Sequence, residues 1–231
     1  MTNSNSCWAV VPAAGVGKRM QADRPKQYLP LLGQTVIEHT LQRLLGSGVF
    51  QAVSVAISVE DPYWPELPIS QNPAVITAPG GKERADSVLS ALKALEGKAH
   101  EDDWVLVHDA ARPCITSGDI QHLIASLAQH PVGGILALSS HDTLKQVEGD
   151  QIVATINRQK IWRALTPQMF RYGMLRQSLQ DTEGNPAVTD EASALELLGF
   201  RPSIVEGRPD NIKITRPEDL ELAAFYMEQQ A

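Results

Sequence analysis

Apolar and polar positions alternate along the chain in two rhythms that take turns. Trp8-Ala9-Val10-Val11 is a short apolar run closed by Pro12 and small residues, the mark of a buried strand. Thr35 to Leu45 puts Val36, Ile37, Thr40, Leu41, Leu44 and Leu45 on one helical face, with Thr35 and Glu38 at capping-box spacing and Gly46 suited to its end. Ala52 to Ser58 alternates, with Val53, Val55 and Ile57 on one side. After a connection rich in proline (Pro62, Pro65, Pro68, Pro73), Val75-Ile76-Thr77 predicts another strand. Ala85 to Leu95 is helical, its stripe being Val88, Leu89, Leu92 and Leu95. Trp104 to Val107 is a buried-type strand, Ile120, Leu123, Ile124 and Leu127 mark a helix, and Gly133 to Leu138 is a further strand. This alternation predicts an α/β fold, a mostly parallel sheet with helices on both faces.

The rhythm breaks after Leu138. Thr143–Val147 and Ile152–Ile156 are β-prone runs flanking Glu148-Gly149-Asp150-Gln151, which predicts a β-hairpin inserted at about 139–157. An isolated hairpin is marginally stable, so packing on a second subunit is expected, the alternative being a free surface hairpin. Helices then follow near Tyr172–Gln180 and Thr189–Leu198, strands near Ile204 and Ile212, and a last helix behind a second capping box, Thr215 with Glu218.

The 231 residues suit one domain, 1–231, with the hairpin as an arm; such a chain buries a core that needs no disulfide or metal staple. Its 27 acidic against 20 basic residues, net −7, argue against a general nucleic-acid or anionic-membrane binder. No apolar run approaches the roughly 20 residues of a membrane span. The first six residues carry no basic charge, so no secretory leader is expected. Cys7 and Cys114 form no CxxC and suggest a reducing, cytoplasmic setting. An anionic ligand must therefore be held by a local cluster of cations.

In open parallel sheets ligands bind beyond the carboxyl ends of the strands. The first such loop is Pro12-Ala13-Ala14-Gly15-Val16-Gly17-Lys18-Arg19-Met20, followed by Pro25-Lys26-Gln27-Tyr28. Gly15 and Gly17 permit close backbone approach, and Lys18, Arg19 and Lys26 add cations, so the loop outlines a polyphosphate site. A P-loop would need Ser or Thr where Arg19 stands, and a dinucleotide fingerprint a glycine where Met20 stands. The second segment is His108-Asp109-Ala110-Ala111-Arg112-Pro113: Asp109 could hold a divalent cation or a hydroxyl and Arg112 a phosphate, or the two could simply pair. His108 is expected to pack rather than catalyse, and the histidines show no zinc spacing. The third is Gly80-Gly81 before a helix carrying Ser87, readable as exposed amides or as a plain glycine turn. Arg158, Thr166-Pro167-Gln168 and Arg208–Lys213 are weaker candidates, Thr189-Asp190-Glu191 reads as helix capping, and Cys114 as a packed thiol.

Together these segments resemble the 2-C-methyl-D-erythritol 4-phosphate cytidylyltransferase family of the non-mevalonate isoprenoid pathway. The match also takes in Arg84-Ala85-Asp86-Ser87-Val88, Leu165-Thr166-Pro167-Gln168, Thr189–Ser193 and Asp210-Asn211-Ile212-Lys213-x-Thr215-Arg216-Pro217-Glu218-Asp219, and spans nearly the whole chain. Lys82 stands where some members carry an acidic residue. The resemblance implies a Rossmann-like fold of the nucleotide-diphospho-sugar transferase type. It implies that CTP and methylerythritol phosphate yield 4-diphosphocytidyl-2-C-methyl-D-erythritol and pyrophosphate by in-line attack on the α-phosphorus, with Mg²⁺ or another divalent cation on the triphosphate. It further implies that Arg19, Lys26, Arg158 and Lys213 are catalytic, and that Pro12, Ala13, Ala14, Gly15, Gly17, Lys18, Gly81 and Ser87 bind the nucleotide. Asp109, Ala110, Arg112, Thr143, Thr166 and Asp210 would line the substrate site, with Asp109 the candidate metal ligand. Family members are homodimers, so the arm, flanked by Thr143 and Arg158, is expected to complete the partner's site. A cytidylyltransferase for another polyol phosphate, such as ribitol 5-phosphate, would share the CTP loop and differ around Thr143, Arg158 and Arg208–Lys213. A non-catalytic nucleotide-binding protein would bind CTP without turnover.

Overall fold

A computed structural model describes residues 6–15 and 23–230. Its centre is a seven-stranded sheet in the order β11-β7-β10-β6-β1-β4-β5. The strands are β1 (Cys7–Pro12), β4 (Phe50–Ile57), β5 (Val75–Pro79), β6 (Trp104–Val107), β7 (Gly133–Ser139), β10 (Trp162–Arg171) and β11 (Ser203–Glu206). All run parallel except β10, which lies antiparallel between β6 and β7. Two short strands, β2 (Pro30–Leu31) and β3 (Gln34–Thr35), pair before the first helix.

Alternate side chains of the central strands feed two cores. Ala9, Val11, Val53, Val55 and Leu106 pack with Ile37, Leu41 and Leu44 of α1 (Val36–Gly46) and with Ile120, Leu123 and Leu127 of α3 (Ser117–Leu127). Trp8, Val10, Ala56, Val105 and Val107 face the other way, towards α2 (Arg84–Lys93), α4 (Tyr172–Asp181) and α5 (Glu191–Leu197). This is the period-two consequence of strands covered on both faces. The Thr35–Glu38 capping box of α1 forms as the spacing predicts.

A third, smaller core positions the chemistry. Leu29 and Leu31, Ala111 and Cys114, and Ile214, Ala223 and Met227 pack together, the last two from α6 (Glu218–Gln229). It draws three segments distant in sequence onto one another: the one after Lys26, the one after β6, and the one carrying Lys213. The Ile214 amide also donates to Ala111 O at 2.8 Å.

Two expectations are corrected here, and one strand was not foreseen. No strand forms at Ile212. The apolar-polar-apolar run Ile212-Lys213-Ile214 packs Ile214, fully buried, and Ile212, partly buried, into this third core with α6 instead of against a sheet edge. The cap of α6 is Asp219, not Glu218: its carboxylate accepts from Thr215 N, Thr215 Oγ1 and Arg216 N at 2.8–2.9 Å. Pro217, the residue before the helix, is already helical in φ and ψ and makes no side-chain cap bond of its own. Finally, β10 carries no strand signature because Pro167 interrupts it, and its pairing with β7 shifts register between Ala164 and Gln168 to accommodate the interruption.

The hairpin does form. β8 (Leu144–Glu148) and β9 (Gln151–Ile156) pair antiparallel as a separate two-stranded sheet. Val147, Ile152 and Val153 stand exposed on it at 56%, 64% and 48%. Within one chain, those apolar side chains have no core to join.

Candidate active site

The carboxyl ends of β1, β5 and β6 open into a cleft of about 200 Å³, lined by Pro12–Gly15, Lys26, Gln27, Gly81–Arg84, Ser87, Asp109–Ala111 and Lys213. On the first loop, the buried Gln27 amide donates to Ala13 O at 2.7 Å and Gly15 O at 3.0 Å, fastening the backbone where a ligand would approach. Lys26 Nζ donates to Ile214 O at 2.9 Å, which brings it beside the segment of Lys213.

The paired glycines are a steric necessity. A Cβ on Gly80 would collide with Ala14 Cβ, and one on Gly81 with Asp86 Cβ. Ser87 is buried, accepting from Gly81 N at 3.1 Å and donating to Glu83 O at 3.2 Å, so its hydroxyl shapes this turn.

Asp109 anchors the charge cluster. Its Oδ1 receives Arg84 Nε at 3.2 Å, and its Oδ2 receives Lys213 Nζ at 2.9 Å and Arg112 Nε at 3.4 Å. Burial alone would push this carboxyl up, but Arg84, Lys213 and Arg112 together hold it well below the usual carboxylate range. Arg112 also donates to Asn211 O at 2.8 Å. Beside the cleft, sharing Arg84, Asp109 and Lys213 with it, lies a second recess lined by Arg112, Thr166, Gln168 and Asp190.

Behind Asp109 sits His108, fully buried. Thr166 Oγ1 accepts from Asp109 N at 3.1 Å and gives its own proton to His108 Nδ1 at 3.0 Å, so His108 Nε2–H donates to Arg112 O at 3.0 Å. Burial pushes this imidazole down to about 4. It is a neutral scaffold that fixes the strand end, as its apolar flanks suggest.

Of the sequence candidates, the fold brings Pro12, Ala13, Ala14, Gly15, Lys26, Gly81, Ser87, Asp109, Ala110 and Lys213 into the cleft, and Arg112 and Thr166 into the adjoining recess. Gly17, Lys18 and Arg19 lie outside the described residues. Thr143 and Arg158 are exposed at the foot of the hairpin, where Arg158 Nη1 donates to His141 O at 2.6 Å. Asp210, expected in the substrate site, lines neither recess. Its carboxylate is held by Arg208 at 3.3 Å and Gln230 at 3.0 Å, while Arg208 also reaches Asp119 at 2.9 Å, because this turn ties α3 to the end of α6. Cys114 packs as expected, its thiol pushed up to about 11 by burial.

Sequence reasoning gave no site role to Arg84 or Gln27, placed Gln168 only among the weaker candidates and read Glu191 as part of a helix cap. For Glu191 a signal existed: with Ala194 and Leu195 it shares the buried face of α5, and a carboxylate on such a face needs a buried partner.

The model of the IspD family, 2-C-methyl-D-erythritol 4-phosphate cytidylyltransferase, matches residues 7–229. The chain belongs to this family. Among its relatives, the enzyme of that name from Pseudomonas entomophila is 54% identical over 217 residues, 93% of this chain and 92% of the relative. The one from Vibrio cholerae is 54% identical over 227 residues, 96% and 97% of the two chains. The crystal structure of the Francisella tularensis family member superposes with a TM-score of 0.84 at 38% identity, covering 96% of this chain and 99% of that one. Membership makes this chain a nucleotidyltransferase on the mostly parallel sheet described above.

Proposed function

We propose that the chain joins CTP to 2-C-methyl-D-erythritol 4-phosphate, giving 4-diphosphocytidyl-2-C-methyl-D-erythritol and pyrophosphate, in the cleft around Asp109. The observation that carries this reading is the convergence of Lys26, Arg84 and Lys213 beside a loop fastened by Gln27, in a chain of net charge −7.

A phosphate oxygen of the acceptor attacks the α-phosphorus in line, and pyrophosphate leaves from the far side. Such a reaction needs positioning and charge neutralisation rather than a protein nucleophile. Lys26, with Arg19 from the same loop, stabilises the charge that builds on the transferring phosphoryl group. Lys213 holds the acceptor phosphate, and Asp109, Ala110, Arg112 and Thr166 wall the acceptor site. Backbone groups of Pro12–Gly15 and Gly81, with Gly17, Lys18 and Ser87, receive the nucleotide.

Two assignments reach beyond one chain. The exposed apolar arm pairs with a second copy and carries Thr143 and Arg158 into the partner's cleft, where Arg158 joins Lys213 on the acceptor phosphate. This gives the unburied Val147, Ile152 and Val153 a place to go.

A divalent cation fits this cleft in one way. No three His, Cys, Asp or Glu side chains form a metal cage among the described residues, so the triphosphate oxygens would supply most ligands and Asp109 the protein carboxylate, the manner Mg²⁺ favours. When bound, the ion would neutralise triphosphate charge. The setting is the cytoplasm, consistent with two free thiols and, among the described residues, with no helix long and apolar enough to cross a membrane.

The test is pyrophosphate release by purified protein with each of four nucleoside triphosphates, offered methylerythritol phosphate or ribitol 5-phosphate with Mg²⁺. Turnover confined to CTP with methylerythritol phosphate is expected. Preference for ribitol 5-phosphate, or CTP binding without release, would overturn the assignment.

A further inference from the structure

Thr189-Asp190-Glu191 reads in the sequence as a helix cap, and Asp190 does cap α5 by accepting from Ser193 N at 2.9 Å. Glu191 does something different. It is 1% exposed, and both its carboxylate oxygens receive the Arg84 fork, Nη1 on Oε1 and Nη2 on Oε2, the latter at 3.1 Å. The same guanidinium turns its Nε to Asp109 Oδ1 at 3.2 Å. A planar fork docked bidentate on one carboxylate can offer a second carboxylate only its remaining edge.

The anchor of this chain of contacts is itself fixed. Gln168, on β10 beside β6 and 1% exposed, accepts from Ala192 N at 3.0 Å and donates to Asp190 Oδ2 at 2.9 Å, clamping the first turn of α5. The path therefore runs from β10 through α5 to Glu191, Arg84 and Asp109. A buried ion pair is at best a weak contributor to stability, so stability alone gives little reason for one here.

Charge placement gives a better one. Asp109 faces three cations, and without Glu191 the Arg84 fork would close bidentate on Asp109 and displace Lys213 and Arg112 from Oδ2. We propose that Glu191 is a positioning residue for nucleotidyl transfer: it engages the Arg84 fork so that Asp109 keeps one oxygen for Lys213 and Arg112, the cations that face the acceptor. This rests on the assignment of Asp109 to the substrate site.

A double-mutant cycle tests it. Glu191→Gln and Asp109→Asn are made singly and together, and kcat, KM for each substrate and the melting midpoint are measured. Glu191→Gln is expected to lower kcat/KM for methylerythritol phosphate about tenfold, as coupled neighbours do, and to leave KM for CTP nearly unchanged. In the Asp109→Asn background the same change should cost less than about twofold in kcat/KM for methylerythritol phosphate. Additive losses, or a fully active Glu191→Gln enzyme, would overturn the positioning role while leaving Asp109 in place. A fully active Asp109→Asn enzyme would overturn both. If Glu191→Gln does not fold, Glu191→Asp, which keeps the charge and withdraws the carboxylate, enters the same cycle with the same expectations.

Discussion

Lys26 shows how a single side chain can be read twice. In the sequence it is a cation in a glycine-bearing loop. In the fold its ammonium rests on Ile214 O, at the lip of the cleft. Lys26→Ala should lower kcat on the order of 10²–10³ fold in enzyme that is still folded by its melting midpoint, the scale of removing one preorganised charge-stabilising group. Near-normal pyrophosphate release by a folded variant would remove Lys26 from the mechanism. His108 gives a prediction on stability instead. Its folded imidazole sits at about 4 against an ordinary value near 6.5, so the unfolded chain binds the extra proton first. The stabilising contribution is complete above pH 6.5 and drains away as pH falls towards 4, by about 3 kcal/mol. Asp109 and Arg112, which face the ring, titrate alike in both proteins of the comparison. Urea midpoints of wild type and His108→Gln from pH 7.5 to 4 should therefore converge on acidification; parallel curves would contradict the buried neutral ring. Asp109 was legible in the sequence because strand-end position and charge are local properties, whereas Lys213 stood out only through the family resemblance. Glu191 and Arg84 were not legible, since their pairing joins residues 107 positions apart that only the fold brings together. Asp210 neighbours Lys213 in sequence, yet its carboxylate is held by Arg208 and Gln230.

Among the elements, those with a clear period were foreseen and those defined by their partners were not. α1, with its capping box and apolar stripe, forms where both signals agree. β10 hides behind Pro167, and the strand expected at Ile212 is an extended segment docked on loops. The hairpin was legible from alternation around Gly149, which turns with φ +60°, but what it does there is a question of assembly. If it delivers Arg158 to the partner's cleft, co-expressed Arg158→Ala and Lys26→Ala chains should recover activity that neither homodimer has. Random pairing leaves one intact site in half of the dimers, roughly a quarter of wild-type turnover. Stable mixed dimers with no recovery would place Arg158 in its own chain's site or in none.

The whole molecule is an acidic protein that collects cations at one end of its sheet. Two cores hold the sheet between helix layers, and a third pulls the Lys26, Ala111 and Ile214 segments into register. That third core is why Lys26 and Lys213, almost two hundred positions apart, line one cleft. Lys213 tests this most directly, since it depends on that docking and bonds the Asp109 carboxylate at the cleft floor. The decisive measurement is the initial rate of pyrophosphate release from CTP and methylerythritol phosphate by Lys213→Ala, beside its melting midpoint. A folded enzyme slowed on the order of a hundredfold or more, with the loss falling on use of the acceptor, is the predicted result. A folded Lys213→Ala enzyme that releases pyrophosphate at close to the wild-type rate would contradict the account.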